Sequence, residues 1–268
     1  MYYYIVDPQK ISPRQFERVQ NILYSSVSEY RISGEIARVT GLRTINQLVE
    51  GALQRGVKTL VAVGSDETLH EVINAIKGRD ILVGFIPLLA TELSQILGLD
   101  NIEQAAKTIG LRRITELDLV QVNNFYFLSR LTFGAGIRPS SFFDFKTIQN
   151  LFKLPAFQIQ FSAQNQEFRA SLTAVGGIIV NQMTQGMLKI MLLPKLNNLM
   201  TFRYRRQILT GDYENIPGSS TVYVKQLEIN SPAGLPLRVG DRIITRTPAQ
   251  ISVIPQALKI IVGRDRKF

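Results

Sequence analysis

The chain of 268 residues contains no cysteine, no tryptophan and a single histidine, His70. Without thiols there is no disulfide framework, no thiolate nucleophile and no Cys-ligated metal site. One imidazole leaves little scope for a zinc site or a Ser-His-Asp triad, each of which needs imidazole in a defined partnership. Long apolar runs are also missing. The longest, Ile81 to Ala90, is about half of a membrane span and contains Pro87. The opening MYYYIVDPQK has neither a basic leader nor an apolar h-region, so no signal peptide is expected. The expectation is a soluble, cytoplasmic protein, with peripheral membrane association left open.

What is present is enough apolar material for a substantial core, 45% of residues, and a chain long enough for one large domain or two smaller ones. Two domains are expected. The net charge of +10 is unevenly spread: residues 1–115 carry 13 basic and 12 acidic side chains, residues 116–268 carry 18 and 9. A basic second part suggests an anionic partner such as a lipid surface, or simply a solvated basic surface. Nucleic acid ranks behind the lipid surface.

The first part alternates between strand-like and helix-like segments. Tyr2–Val6 reads as a strand, and Pro13 sits at the first turn of a helix in which Phe16, Val19 and Leu23 recur at helical spacing. Thr44 is positioned to cap a helix with an apolar stripe of Ile45, Leu48, Val49, Ala52 and Leu53, stopped by Gly56. Lys58–Val63, a further helix, and Ile81–Ile86 complete a β-α-β-α-β order, which predicts a parallel sheet covered by helices. After residue 115 come short β-rich runs: Arg113–Val120, Phe125–Phe133, Leu172–Val180, Met187–Leu193, Thr221–Ile229 and Gln250–Val262. Turn residues separate them, which predicts an antiparallel sandwich or barrel, interrupted by a helix around Phe142–Phe152. The expected division is 1–115 and 116–268, with the last roughly ten residues a candidate for return to the first domain.

Residues 61–76, VAVGSDETLHEVINAI, place a strand ending at Gly64 directly before an amphipathic helix. That arrangement points backbone N–H groups and the helix dipole at one small volume, as phosphate sites require. Yet the loop is neither G-x-x-x-x-G-K nor G-x-G-x-x-G. A second reading is a plain helix start, with Thr68 and Glu71 as a capping box and Asp66 and Glu67 before the first turn. Glu67 weighs against a nucleotide, because two like charges about 4 Å apart at an effective dielectric near 20 repel by roughly 4 kcal/mol.

Together with the segments C-terminal to it, this stretch resembles the catalytic domain of the diacylglycerol kinase and sphingosine kinase family, whose mark is a G-G-D-G-T loop after a strand. Here the loop reads G-S-D-E-T. The family next has a strand ending in proline and a G-T-G-N-D motif; this chain has FIPLLATELSQILGLD at residues 85–100, with Leu89-Ala-Thr-Glu-Leu93 in the motif's place. Residues 116–137 are similar to the family's entry into its β-rich domain, and QGMLKIMLLP at 185–194 to its strand after a D-G-x-L turn. LRVGDRIITRTPAQISVIPQALKIIV is similar to its D-G-E turn and closing strands. The resemblance runs from about residue 40 to the C-terminus.

The resemblance implies an α/β fold, with an N-terminal parallel sheet carrying helices on both faces, NAD kinase and diacylglycerol kinase-like, followed by a β-rich C-terminal sandwich domain. It implies transfer of the γ-phosphate of ATP, with Mg²⁺, to a lipid hydroxyl. Gly64, Asp66 and Thr68 match the first loop, with Ser65 and Glu67 in place of its other glycines, so Gly64, Ser65, Asp66 and Thr68 are the candidate nucleotide-binding residues. None of Leu89, Ala90, Thr91, Glu92 and Leu93 matches the second motif. In the D-G-E turn, which supplies the general base, the chain reads Gly240-Asp241-Arg242, making Asp241 the candidate catalytic residue one position late. Where the family has N-P-x-S-G, Asp7-Pro8-Gln9-Lys10-Ile11 keeps only the proline. Four such departures in an intact frame predict a pseudokinase with little or no ATP-dependent activity, no metal site, and a lipid or protein partner. The alternative is an active ATP- and Mg²⁺-dependent kinase of a diacylglycerol-like or sphingoid lipid.

Two further stretches invite chemistry. His70-Glu71 followed by Asn74 resembles a zincin helix without its second histidine, so His70 is expected as a surface residue that pairs with Asp66 one turn away. Phe202-Arg-Tyr-Arg-Arg206 mixes aromatics and cations. As a strand it would put Phe202 and Tyr204 on one face and Arg203 and Arg205 on the other, while an anionic membrane or nucleic acid would use both.

Overall fold

In the computed structural model, residues 1–9, 11–134, 156–163, 168–232 and 234–268 are described. The chain divides into two compact units, Met1–Asp118 with Pro255–Phe268, and Leu119–Ile254.

In the first unit β1 (Tyr2–Val6), β2 (Gly34–Arg38), β3 (Thr59–Gly64) and β4 (Leu82–Pro87) run parallel in the order β2-β1-β3-β4. β16 (Ala249–Ile261) adds Ile260 beside Val83 of β4, also in parallel. Every residue of TLVAVG in β3 and of LVGFIP in β4 is buried, the signature of parallel strands covered on both faces. The cover comes from α1 (Pro13–Glu29), α2 (Ile45–Gln54), α3 (Asp66–Ile76), α4 (Glu92–Leu97) and α5 (Ile102–Leu111). α1 packs on α5, and α2 on α3. The chain leaves β1 in one direction to reach β2 and returns past it to β3. With right-handed crossovers, that reversal puts α1 and α2 on opposite faces and opens a crevice at the carboxyl ends of β1 and β3.

The helix starts are closed locally. Pro13 follows the cap Ser12, and Thr44 caps α2 as expected, its N–H donating to Gln47 Oε1 at 3.0 Å while Gln47 N–H donates back to Thr44 Oγ1 at 3.4 Å. β2 is an addition to the expected order. It is an edge strand in which Ala37 alone is buried, so its sequence GEIAR carries no apolar period.

In the second unit six antiparallel strands form a sheet in the order β12-β11-β10-β7-β14-β15: Ser220–Val224, Leu188–Leu193, Gly176–Asn181, Arg130–Gly134, Pro236–Val239 and Arg242–Arg246. Facing it are the antiparallel strands β8 (Phe157–Ala163), β9 (Phe168–Ala174) and β13 (Gln226–Asn230), the Ala249–Ser252 part of β16, and the turn joining β5 (Ile114–Val122) to β6 (Phe125–Phe127). Period-two alternation splits each strand between two environments. Leu188, Ile190 and Leu192 join Leu131, Phe133, Leu237, Leu227, Ile229 and Ile251 between the layers. Met191 and Leu193 face the other way, with Val175, Ile178, Ile208, Leu209 and Tyr213.

Several expectations change here. The run Leu172–Val180 is two strands parted at Val175, and Thr221–Ile229 is two parted at Lys225. Phe202–Arg206 is not a strand: α6 (Asn198–Arg203) and α7 (Arg205–Thr210) occupy it, joined at Tyr204. Ile208 and Leu209 explain why, since burying this adjacent pair together with Thr201 suits a helical face and not a two-residue alternation. The helix expected around Phe142–Phe152 lies outside the described residues. No described helix is long and apolar enough to cross a membrane.

Candidate functional site

The crevice at the ends of β1 and β3 is where the topology places a ligand site in an open α/β sheet, and the candidate residues Gly64, Ser65, Asp66 and Thr68 line it from β3 into α3. The helix begins three residues earlier than the capping-box reading predicts. Ser65 is the cap residue, in extended conformation, and Asp66, Glu67 and Thr68 form the first turn. Thr68 therefore acts in the reverse sense: its Oγ1 accepts from Ser65 N–H at 3.1 Å. The same hydroxyl donates to Asp7 Oδ2 at 3.0 Å. A Cβ on Gly64 would collide with the Thr68 side chain, so glycine at 64 makes room for threonine at 68.

Asp7 joins the candidate site; the sequence places it at the start of the segment that stands for N-P-x-S-G but does not pair it with Thr68. It follows β1, where its Oδ1 also accepts Gln9 N–H at 3.1 Å.

Asp66 and Glu67, both in the first turn, suit the positive end of the helix dipole. Ser65 Oγ donates to Glu67 Oε2 at 2.8 Å. Asp66 Oδ2 accepts Leu93 N–H at 3.3 Å, while its buried Oδ1 has no hydrogen-bond partner among the described residues. Burial pushes the Asp66 carboxyl above the ordinary carboxylate range, against the pull of Thr91 and Leu93; the charges of Glu92 and Glu67 add to the rise. His70 is not the expected surface residue. It is 3% exposed on the core face of α3, and burial lowers its pKa to about 4, keeping the imidazole neutral. The hydrogen bond it shares with Asp66 runs to that residue's backbone.

The second loop, between β4 and α4, is closed in the same manner. Thr91 caps α4: Ser94 N–H donates to Thr91 Oγ1 at 3.1 Å, and Thr91 N–H to Ser94 Oγ at 2.9 Å. Leu93 is fully buried and Leu89 is 55% exposed.

ATP and Mg²⁺, which the resemblance implies, can be tested against these groups. A triphosphate needs free donors and positive charge. Here Ser65 N–H, Ser65 Oγ, Thr91 N–H, Leu93 N–H and Ser94 N–H are all engaged by the chain's own oxygens. Neither loop carries a Lys or Arg, and Glu67 and Glu92 add negative charge. Among the described residues no three of His, Asp and Glu stand together to hold a metal ion. These engaged donors, the two glutamates and the lack of a basic side chain are unfavourable to a triphosphate at these two loops.

Asp241 belongs to the second unit, exposed at the two-residue turn between β14 and β15, after Gly240 at φ 57°. Its carbonyl accepts Arg238 Nη1 at 3.3 Å. Elsewhere on the first unit a groove of about 870 Å³ lies between β2 and α2, lined by Tyr3, Arg38, Arg43, Gln47 and Arg55 among others and by none of the candidate residues.

Comparison with known proteins bears on this crevice. A model of the diacylglycerol kinase catalytic domain matches residues 5–122, beginning well before residue 40 and including both loops. A "Probable lipid kinase YegS-like" protein of Enterobacter sp. (strain 638) is 30% identical over 130 residues, covering 45% of this chain and 44% of the relative. Another of the same description, from Serratia proteamaculans (strain 568), is 36% identical over 98 residues, covering 34% and 32%. The matched region thus spans less than half the length of these curated relatives. The structure of a diacylglycerol kinase from Bacillus anthracis str. Sterne superposes with a TM-score of 0.78 at 17% identity, over 98% of this chain and 97% of that one. A second structure from that organism gives 0.81 at 15% identity, over 99% and 96%. Residues 5–122 are thus similar to the diacylglycerol kinase catalytic domain, and the chain shares the fold of these diacylglycerol kinase structures.

Proposed function

We propose that this lipid-kinase-like chain is a pseudokinase with little or no ATP-dependent activity, acting by binding a lipid or protein partner. The observation that carries the reading is the closure of both loops on themselves. Phosphoryl transfer rests on positioning and on neutralising charge. Here five donors of the two loops hold Thr68, Glu67, Asp66, Thr91 and Ser94 oxygens instead. Binding a nucleotide would mean breaking those bonds and bringing Glu67 against a polyanion. The basic excess of the second part supports an anionic lipid surface as partner. Isothermal titration with ATP, with and without Mg²⁺, tests the reading: no measurable binding at millimolar nucleotide is expected, and a micromolar dissociation constant would overturn it.

The second reading is an active ATP- and Mg²⁺-dependent lipid kinase, with Asp241 as base. The unpartnered Asp66 Oδ1 favours it, as a carboxylate oxygen available to a cation. Lipid-dependent ATP consumption abolished by Asp66→Asn would support it. No turnover on diacylglycerol, sphingoid and glycerophospholipid acceptors would leave the first reading standing.

A further inference from the structure

From the surface of α6 and α7 we infer a docking element for anionic membranes. This names a surface for the partner proposed above, and rests on that reading only in taking the partner to be a lipid.

The helix pair is fixed from within. Ile208 and Leu209 join Val175, Ile178, Met191, Leu193, Tyr213 and Ile216 in one cluster, with Leu196 and Tyr204 packed against it. The outward side is unusual for a solvated surface. Leu199 is 77% and Phe202 54% exposed, three residues apart and so on one face of α6. Exposed cations accompany them: Lys195, Arg203, Arg205 and Arg206, with no carboxylate from Lys195 to Gly211. The nearest acidic residues along the chain are engaged elsewhere, Glu214 in an ion pair with Lys189 and Asp212 accepting from Asn215 at 3.4 Å.

One apolar side chain is held against its cation. The Arg205 guanidinium lies 4.4 Å from the Phe202 ring centroid, and its Nη1 donates to Phe202 O at 2.8 Å. A face that offers leucine and phenylalanine to the acyl boundary and guanidinium groups to phosphate headgroups has the chemistry of an interfacial anchor. Nucleic acid suits it less: the Arg205 guanidinium covers a Phe202 ring face on which a base would stack, and Leu199 offers nothing to a phosphate backbone.

The test is co-sedimentation of the full chain with vesicles of phosphatidylcholine containing about 40 mol % phosphatidylglycerol, against phosphatidylcholine alone. Binding to the anionic vesicles only, weakened by salt at about 0.5 M, is expected. Each basic residue near an anionic surface strengthens partitioning about fivefold, so R203Q/R205Q should weaken it on the order of 30-fold. L199S/F202S should weaken it at least about tenfold. R264Q/R266Q, which changes two exposed arginines near the C-terminus and outside the helix pair, should bind within about twofold of the parent. Circular dichroism checks that each variant keeps its fold. No binding to anionic vesicles, equal binding to phosphatidylcholine, or helix variants that bind as the parent does would overturn the inference. So would a duplex-DNA gel shift dependent on the same arginines without vesicle binding. The assay contains no nucleotide, so its failure and the failure of the pseudokinase reading are separate results.

Discussion

Thr68 Oγ1 donates to Asp7 Oδ2 across 3.0 Å and 61 residues of chain, joining the end of β1 to the first turn of α3. Because the same oxygen accepts Ser65 N–H, one hydroxyl closes the crevice from both sides. Thr68→Val keeps the shape and removes both bonds, leaving polar groups of a buried site without partners. Loss of about 1–3 kcal/mol in urea denaturation is expected. Thr68→Ser, which retains the hydroxyl, should recover most of it.

His70 sets an acid limb. Its folded pKa of about 4 lies below the unfolded value of 6.5, so between those limits the unfolded chain binds the extra proton. The stability is complete above about pH 6.5 and is lost as pH falls through the folded value, on the order of 3 kcal/mol for the full titration. In His70→Gln this pH dependence should vanish, seen as a parent-minus-variant stability difference that declines from about pH 7 to about pH 4.

Asp66, one turn earlier, carries the opposite sign. Its folded pKa is raised, so the folded state holds the proton more tightly, and stability falls as pH rises from the unfolded value of 3.8 through the folded one. Asp66→Asn removes that cost and can still accept from Leu93 N–H. The variant should melt higher than the parent near neutral pH, an advantage that fades toward about pH 4.

These buried groups mark where sequence reading stops. The interior strands and the Thr44 cap are legible because β-branched runs and capping residues act within a few positions. The edge strand β2 is not, since Ala37 alone is buried in it. The stretch FRYRR fits a strand by alternation, and only the cluster under Ile208 and Leu209 decides for helix. In the crevice, Gly64, Ser65, Asp66 and Thr68 can be read from one loop. The N-P-x-S-G position brings Asp7 into view, but its bond to Thr68 spans 61 residues and no local pattern announces that pairing. His70 reads as a surface residue because helical periodicity allows several faces and only packing selects one.

Asp241 offers a test with a structural control built in. Exposed at a hairpin turn, it should tolerate Asp241→Asn within about 0.5 kcal/mol, read as an unchanged thermal melt. If the chain turns over ATP in the presence of lipid, and the variant alone loses that turnover, the residue is a base and the pseudokinase reading is wrong. The expected outcome is an unchanged melt and no turnover in either protein.

Glu67 is the residue whose removal should reopen the crevice. Its carboxylate holds the Ser65 hydroxyl at 2.8 Å and sits in the first turn of α3, where an anion is favoured by the dipole. Glu67→Gly frees the Ser65 hydroxyl, removes a negative charge and lets the backbone be approached more closely. The like-charge repulsion removed is at most roughly 4 kcal/mol for groups about 4 Å apart at an effective dielectric near 20. Solvent reduces it for this half-buried side chain. Tripolyphosphate affinity should therefore rise about tenfold or more in titration calorimetry, with Glu67→Gln giving a smaller gain because it removes the charge but not the side chain. Equal affinity in the parent and both variants would show that the loop is closed by Thr68 and Asp7 instead, and the double variant Glu67→Gly with Thr68→Ser would not reopen it either.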